Sequence, residues 1–440
     1  MKKTALINLG CAKNLVDSEV MLGILDQKGY QISTDIKKAD IIIINTCGFI
    51  KEARKESETA INKALKAKEG SKRRTKVVVA GCYVERSADE LKKQFPEVDH
   101  WTGVKEFNLI DRILSDASFQ RPEKCYLYDH KTPRFLSTPC SWAYLKISEG
   151  CSHKCSFCAI PQIKGSYQSR PVFSIKEEAR LLADKGVKEI NIISQDSTYY
   201  GHDLGLKNGL SVLLKELIRI KKLKWIRVLY TYPEEIHDSL LELLNEPKIC
   251  SYLDCPFQHS NRGLLDQMKR GMDGARALAF LSDVRKKVPD IAFRTTLIVG
   301  FPGEKDQQFE ELKKFVCEAK FDHLGVFTYS REKNTPCYGL GDPVSSETKK
   351  SRQRELMELQ SEISLEKNQK YLGQIKEMVV EGRLDQDPSL LMGRTQSQAP
   401  EVDGVVFADT QQDRNDYSGQ IKKIKVTGCD PYDLYAELIT

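Results

Sequence analysis

The sequence predicts an α/β protein of three units. These are an open parallel α/β domain over residues 1–118, a partial (βα)6 barrel over 135–370 and a small antiparallel β-barrel over 371–440. Three observations carry this reading. Short apolar runs alternate with amphipathic stretches from the N-terminus to about Gly373, the pattern of parallel strands joined by helical crossovers. A segment from about Phe119 to Ser141, carrying Pro122, Pro133 and Pro139, interrupts the alternation once. Beyond residue 371 the helical period stops and short runs broken by Gly and Pro follow. A length of 440 residues independently allows about three domains.

Each element has its own warrant. In the first unit the apolar runs Thr4–Leu9, Asp40–Asn45 and Lys76–Ala80 read as strands, and Asp17–Lys28 and Lys51–Lys68 as helices between them. The second unit offers six strands: Ala143–Ile147, Glu189–Ser194, Trp225–Tyr230, Tyr252–Pro256, Ala292–Val299 and His323–Tyr329. Helical patterns at Ser174–Lys185, Leu210–Ile220 and Glu304–Ala319 separate them. Six such units with right-handed crossovers curl into an open barrel, with chemistry at the C-terminal ends of its strands. A charged helix, Ser345–Tyr371, leads out to the strands Ile375–Val380, Gly404–Ala408 and Gln420–Val426.

Composition narrows the function. With 40% hydrophobic and 30% charged residues the chain is neither disordered nor fibrous. Its longest strongly apolar run, Ile41–Ile44, falls far short of the ~20 residues of a membrane span. The opening Met1–Ile7 resembles a secretory signal, but Asn8, Lys13 and Asp17 break it too early. A cytoplasmic protein is expected, with reduced thiols. Clustered cysteines among its thirteen then favour metal or catalysis over disulfides.

Six cysteines form two sets. Cys11, Cys47 and Cys82 each stand just past a predicted parallel strand, after Leu-Ile-Asn-Leu-Gly, Ile-Ile-Ile-Asn-Thr and Val-Val-Val-Ala-Gly. Those strand ends gather on one sheet edge, so the three thiols can hold one metal cluster. Cys151, Cys155 and Cys158 follow the first barrel strand with C-x3-C-x2-C spacing. Three thiolates so spaced can ligate three irons of a [4Fe–4S] cluster and leave the fourth open. Zinc held by these three and His153 is the competing reading, against which the Cys-x-His spacing is cramped. The other seven cysteines show no ligand spacing.

The second motif, with Phe157 before its last cysteine, resembles the radical S-adenosylmethionine (SAM) signature. With the three-cysteine domain before it and the β-domain after it, nearly the whole chain is similar to the radical-SAM methylthiotransferases, whose last unit is a TRAM domain. The resemblance implies two [4Fe–4S] clusters and SAM as cofactors. Cys151, Cys155 and Cys158 would hold the cluster that binds SAM, and Cys11, Cys47 and Cys82 the auxiliary cluster that takes the sulfur. It also implies a SAM pocket near Phe157, Gln195 of the Ser194–Asp196 turn, and Arg294. An electron donor and a sulfur donor are required partners.

Two branches of that family fit. Leu9–Glu19 (LGCAKNLVDSE), Asn45–Ile50 (NTCGFI) and Ala399–Gly404 (APEVDG) resemble the branch that modifies an aspartate β-carbon in small-subunit ribosomal protein twelve. The branch acting on tRNA adenosine usually carries Gln-Met-Asn after the first cysteine. Charge points the same way. The chain as a whole is +6, yet residues 371–440 hold seven Lys/Arg against twelve Asp/Glu. An acidic module suits a basic protein substrate better than a tRNA backbone. The tRNA activity is the runner-up, followed by a non-catalytic iron–sulfur protein for RNA binding or electron transfer.

Overall fold

The computed structural model describes residues 1–440 except 72, 73, 116, 119, 412, 414 and 440. Phe119, the expected start of the connecting segment, thus lies outside the described residues. The N-terminal sheet contains β1 (Lys3–Asn8), β2 (Gln31–Ser33), β3 (Ile41–Thr46), β4 (Lys76–Gly81) and β5 (His100–Thr102), all parallel in the order 2-1-3-4-5. Helices α1 (Ala12–Gln27), α2 (Lys51–Glu69) and α3 (Cys82–Gln94) connect them. β3 is buried at every position, as a central parallel strand covered on both faces must be. The edge strands β2 and β5 are three residues each, too short for a periodic signal in the sequence.

The central unit begins with β6 (Trp142–Lys146). The short antiparallel pair β7 (Ser148–Glu149) and β8 (Gln168–Ser169) encloses the second cysteine motif. Then come β9 (Glu189–Ile193), β10 (Trp225–Val228), β11 (Tyr252–Asp254), β12 (Ala292–Val299) and β13 (His323–Thr328). Two parallel three-stranded sheets, 6-9-10 and 11-12-13, meet between β10 and β11. There Cys250 N donates to Ile226 O (2.9 Å) and Thr231 N to Asp254 O (2.8 Å). The six expected strands thus form one curved row, open between β6 and β13. A helix over Ser346–Gln369 covers the β13 edge, with Gln353 Nε2 donating to Val326 O (2.7 Å).

Period-two alternation sorts the barrel side chains. Ala143, Leu145, Ile190, Ile192, Ile226 and Val228 pack against the surrounding helices. Trp142, Tyr144, Ile193, Trp225 and Tyr252 face inward, where Val16, Val20 and Met21 of α1 and Ala399 of the last unit join them. The open side of the barrel is therefore filled by the other two units.

The last unit is a closed five-stranded barrel of β14 (Ile375–Leu384), β15 (Asp387–Arg394), β16 (Val406–Asp409), β17 (Ile421–Cys429) and β18 (Leu434–Leu438). The expected all-antiparallel arrangement is corrected at one pair, since β16 and β18 run parallel. The reason is topological. An odd number of strands cannot alternate direction all the way round a closed barrel, so one parallel pair is required. Its β15–β16 connection reaches into the central barrel. Arg394 pairs with Glu189 (2.7 Å), Tyr144 Oη donates to Glu401 (2.8 Å) and Tyr252 Oη to Asp403 (2.6 Å). Part of this unit's negative charge thus serves an internal contact and not the outer surface.

Candidate metal and substrate centre

The three N-terminal cysteines stand where the sheet register brings them together. Asn8, Asn45 and Ala80 are neighbours across β1, β3 and β4, and Thr46 lies beside Gly81. Cys11 then caps α1, Cys47 follows β3 and Cys82 opens α3. Gly10 makes the approach of two of them possible. Its φ is +92°, and a Cβ there would lie 2.8 Å from Cys47 Cβ. Asn14 pins the group, donating to Leu9 O (3.1 Å) and Thr46 O (3.2 Å) and accepting from Cys82 Sγ (3.5 Å). Exposure falls from Cys11 through Cys47 to Cys82. Burial pushes the Cys47 thiol up to about 11 and that of Cys82 higher still.

The second set occupies the loop between β7 and β8, at the C-terminal ends of the barrel strands. Gly150, with φ +76°, brings the chain so close to Ser166 that a Cβ would meet its carbonyl at 2.2 Å. Cys151 N then donates to Gly165 O (3.1 Å) and closes the loop. Burial lifts the thiols of Cys151 and Cys158 to about 11 and 12. His153 Nε2 meets Asp196 Oδ2 at 2.5 Å, and its ring stacks on Tyr232 at 4.1 Å. Arg270 lies over the other side of this group, 3.9 Å from the Tyr232 centroid, with Nη1 3.9 Å from Cys155 Sγ. The loop is thus braced by an Asp196–His153–Tyr232–Arg270 chain that the linear spacing does not reveal.

His153 therefore has a partner other than metal. Among the described residues, no three His, Cys, Asp or Glu side chains are arranged to hold one metal ion. The zinc reading gains no support from this geometry. Sulfurs that bind separate irons of a cube need not converge on one point.

The other three expected residues, Phe157, Gln195 and Arg294, have the following surroundings. Phe157 is partly buried against a small apolar cluster that includes Leu264, Met268 and Phe301. Gln195 is half-buried on the turn whose neighbour Asp196 holds His153. Arg294 is turned to Asp254 (3.5 Å) and Asp403 (3.3 Å), so two carboxylates already match its charge. Arg294 thereby links the barrel to the last unit. Nearby, on the segment after β11, the buried His259 ring accepts from Ser260 N and Asn261 N through Nδ1 and so holds its own turn.

Two features escaped sequence reasoning. The first is a buried cluster of Asp17, Lys146, Glu149 and Lys164, which joins α1 to the second cysteine loop. All four are at most 4% exposed. A lysine ending the apolar run Trp142–Lys146 was its signal. Despite burial, Asp17 and Glu149 hold the Lys146 ammonium above its usual range, while the two lysines bring Glu149 down to about 2. The second is Lys13, whose ammonium sits 3.3 Å from the centre of the Tyr230 ring. Burial opposes that charge, and Tyr230, Cys11 and Asp254 outweigh it.

Comparison with known proteins agrees with this architecture. Residues 3–103 match the uncharacterized protein family UPF0004, 145–316 the radical SAM superfamily and 372–439 the TRAM domain. The ribosomal protein uS12 methylthiotransferase RimO of Citrifermentans bemidjiense is 43% identical over 445 residues, covering 100% of this chain and 98% of its own. That of Aquifex aeolicus is 45% identical over 434 residues, covering 98% and 96%. Among solved structures, the radical SAM methyltransferase TsrM from Kitasatospora setae, with cobalamin and a [4Fe–4S] cluster bound, superposes with a TM-score of 0.53 at 15% identity. It covers 76% of each chain and shares the fold. With identity at this level from end to end, the chain belongs to the RimO family of radical-SAM methylthiotransferases.

Proposed function

We propose that the protein places a methylthio group on the β-carbon of an aspartate in ribosomal protein uS12. The observation that carries this is the pairing of two cysteine triads, one on the N-terminal sheet edge and one at the barrel mouth, through buried contacts of α1. Cys151, Cys155 and Cys158 hold one [4Fe–4S] cluster; Cys11, Cys47 and Cys82 hold the other. The donor sets fit such groups. One set gathers three thiols from three strand ends and the other from a single loop, Gly10 and Gly150 allowing the close approach in each, and Arg270 supplies positive charge beside Cys155 for an anionic thiolate cluster. When bound, the clusters and SAM supply the radical that removes hydrogen from an unactivated carbon and the sulfur that replaces it.

The protein's own residues do the positioning. Asp196 and Tyr232 orient His153 and so fix the second cysteine loop, and Gln195 and Phe157 flank the cofactor side of it. The Ala399–Gly404 connection fills the inner end of the barrel and keeps bulk water from the reacting space. We assign residues 1–118 to the auxiliary cluster, 135–370 to SAM chemistry and 371–440 to substrate engagement. The setting is the cytoplasm, with an electron donor and a sulfur donor as partners. No helix among the described residues is long and apolar enough to cross a membrane.

Anaerobic reconstitution with iron and sulfide tests the reading. Iron for two clusters, 5′-deoxyadenosine formed from SAM and reductant, and one CH2S mass increment on a uS12 peptide are expected. Iron uptake with no SAM cleavage would leave the non-catalytic reading in its place.

A further inference from the structure

We propose that Lys13 is the seat of the substrate carboxylate, the residue that makes the enzyme specific for an acidic side chain. This rests on the aspartate reading above. Lys13 is only 5% exposed. The other buried lysines have carboxylate partners: Lys146 and Lys164 each touch both Asp17 and Glu149, and Lys349 touches Asp342, whereas the buried Arg270 guanidinium is taken up by Pro256 O, Cys155 and the Tyr232 ring. Among the described residues, no carboxylate lies within 4 Å of the Lys13 ammonium. Its contact is the face of Tyr230. Cys11 and, more weakly, Asp254 act on it from further off, Asp254 with its oxygens engaged by Tyr230 N (3.0 Å) and Arg294 (3.5 Å). A buried ammonium without a counter-ion is costly unless an anion arrives to match it.

Location says which anion. Lys13 is two residues beyond Cys11, on the first turn of α1. Tyr230 lies just past the C-terminal end of β10, and its carbonyl accepts from Ser197 N (2.8 Å) beside the Ser194–Asp196 turn. The Lys13–Tyr230 contact thus spans from the sulfur-bearing triad to the SAM side of the barrel. Tyr230 keeps a left-handed backbone there, φ +59°, a conformation disfavoured for a non-glycine residue and common where a ligand is clamped. The carbon that loses hydrogen on one side and gains sulfur on the other must lie in this space. In aspartate that carbon is bonded directly to the carboxylate, so the carboxylate falls beside the only ammonium there without an acidic partner among the described residues. A neutral base offers nothing to match it.

The test uses the reconstituted holoenzyme with uS12 peptides carrying either aspartate or asparagine at the target position. Wild type should prefer aspartate strongly. Lys13→Gln should retain its iron, lose about 100-fold or more in kcat/KM on the aspartate peptide, mostly through KM, and bring the two peptides close to parity. Lys13→Arg, which keeps the charge, should retain the preference with a higher KM. It carries the test if the glutamine variant fails to hold iron. An unchanged aspartate preference in Lys13→Gln, or parity in a folded Lys13→Arg, would overturn the site alone. A wild-type enzyme that leaves the aspartate peptide unmodified would overturn the function reading and this site with it.

Discussion

Removing the Asp17 carboxylate as Asp17→Asn should loosen the N-terminal unit from the barrel. Asp17 Oδ1 meets Lys146 and Oδ2 meets Lys164 at 3.0 Å, and Glu149 reaches the same two ammonium groups at 2.8 and 3.4 Å. The four charges balance, and all are buried. The amide leaves two buried cations sharing one carboxylate. A unit pair at 3 Å in an effective dielectric of about 20 is worth roughly 5 kcal/mol. Breaking one member of a buried pair costs about 3–5 kcal/mol, because the survivor is left without compensation. At ~2–4 °C per kcal/mol, the melting midpoint should fall by roughly 6–20 °C. Circular dichroism of wild type, Asp17→Asn, Lys164→Met and the double variant measures this. The double variant restores balance with Lys146–Glu149 and should be less destabilised than the two single losses added together. A single variant melting within about 2 °C of wild type, or strict additivity, would refute a coupled charge cluster.

Other consequences follow from the same geometry. Cys151→Ala should lose the iron of one cluster and all SAM cleavage, whereas Cys47→Ala should lose a similar share of iron yet still form 5′-deoxyadenosine, which iron analysis and chromatography distinguish. Burial depresses the His259 imidazole to about 3. The unfolded chain then binds the extra proton between pH 6.5 and about 3, so stability is intact above 6.5 and falls by about 1.4 kcal/mol per unit below it. Between pH 7 and 5, urea midpoints should therefore drop further for wild type than for His259→Asn; equal drops would contradict a buried neutral imidazole. Glu189→Gln removes the carboxylate shared by Arg227 (3.0 Å) and Arg394 (2.7 Å) and should detach the β15–β16 connection from the barrel. Faster hydrogen exchange over 394–404 is the readout.

The parts of the fold written in consecutive residues were legible. All six barrel strands and the long exit helix follow from apolar runs and period, and the cysteine spacing announced the metal chemistry. What was missed depends on distant residues meeting. β18 and the three-residue edge strands take their conformation from neighbours rather than from a pattern of their own. Lys13 read as part of a motif because its burial is created by Tyr230, more than two hundred positions away. The pairing of Arg294 with Asp403 of the last unit joins residues more than a hundred positions apart and leaves no pattern in the sequence. The acidic balance of that unit was read as surface, but Glu381, Glu401 and Asp403 all contact partners at or near the barrel.

Mass spectrometry of ribosomal protein uS12 and of tRNA from cells with and without this gene distinguishes the two substrates. A methylthio group on one uS12 aspartate is expected only with the intact gene and should vanish with Cys11→Ala or Cys151→Ala, while tRNA is unchanged. Unmodified uS12 beside gene-dependent methylthioadenosine in tRNA would contradict the uS12 reading.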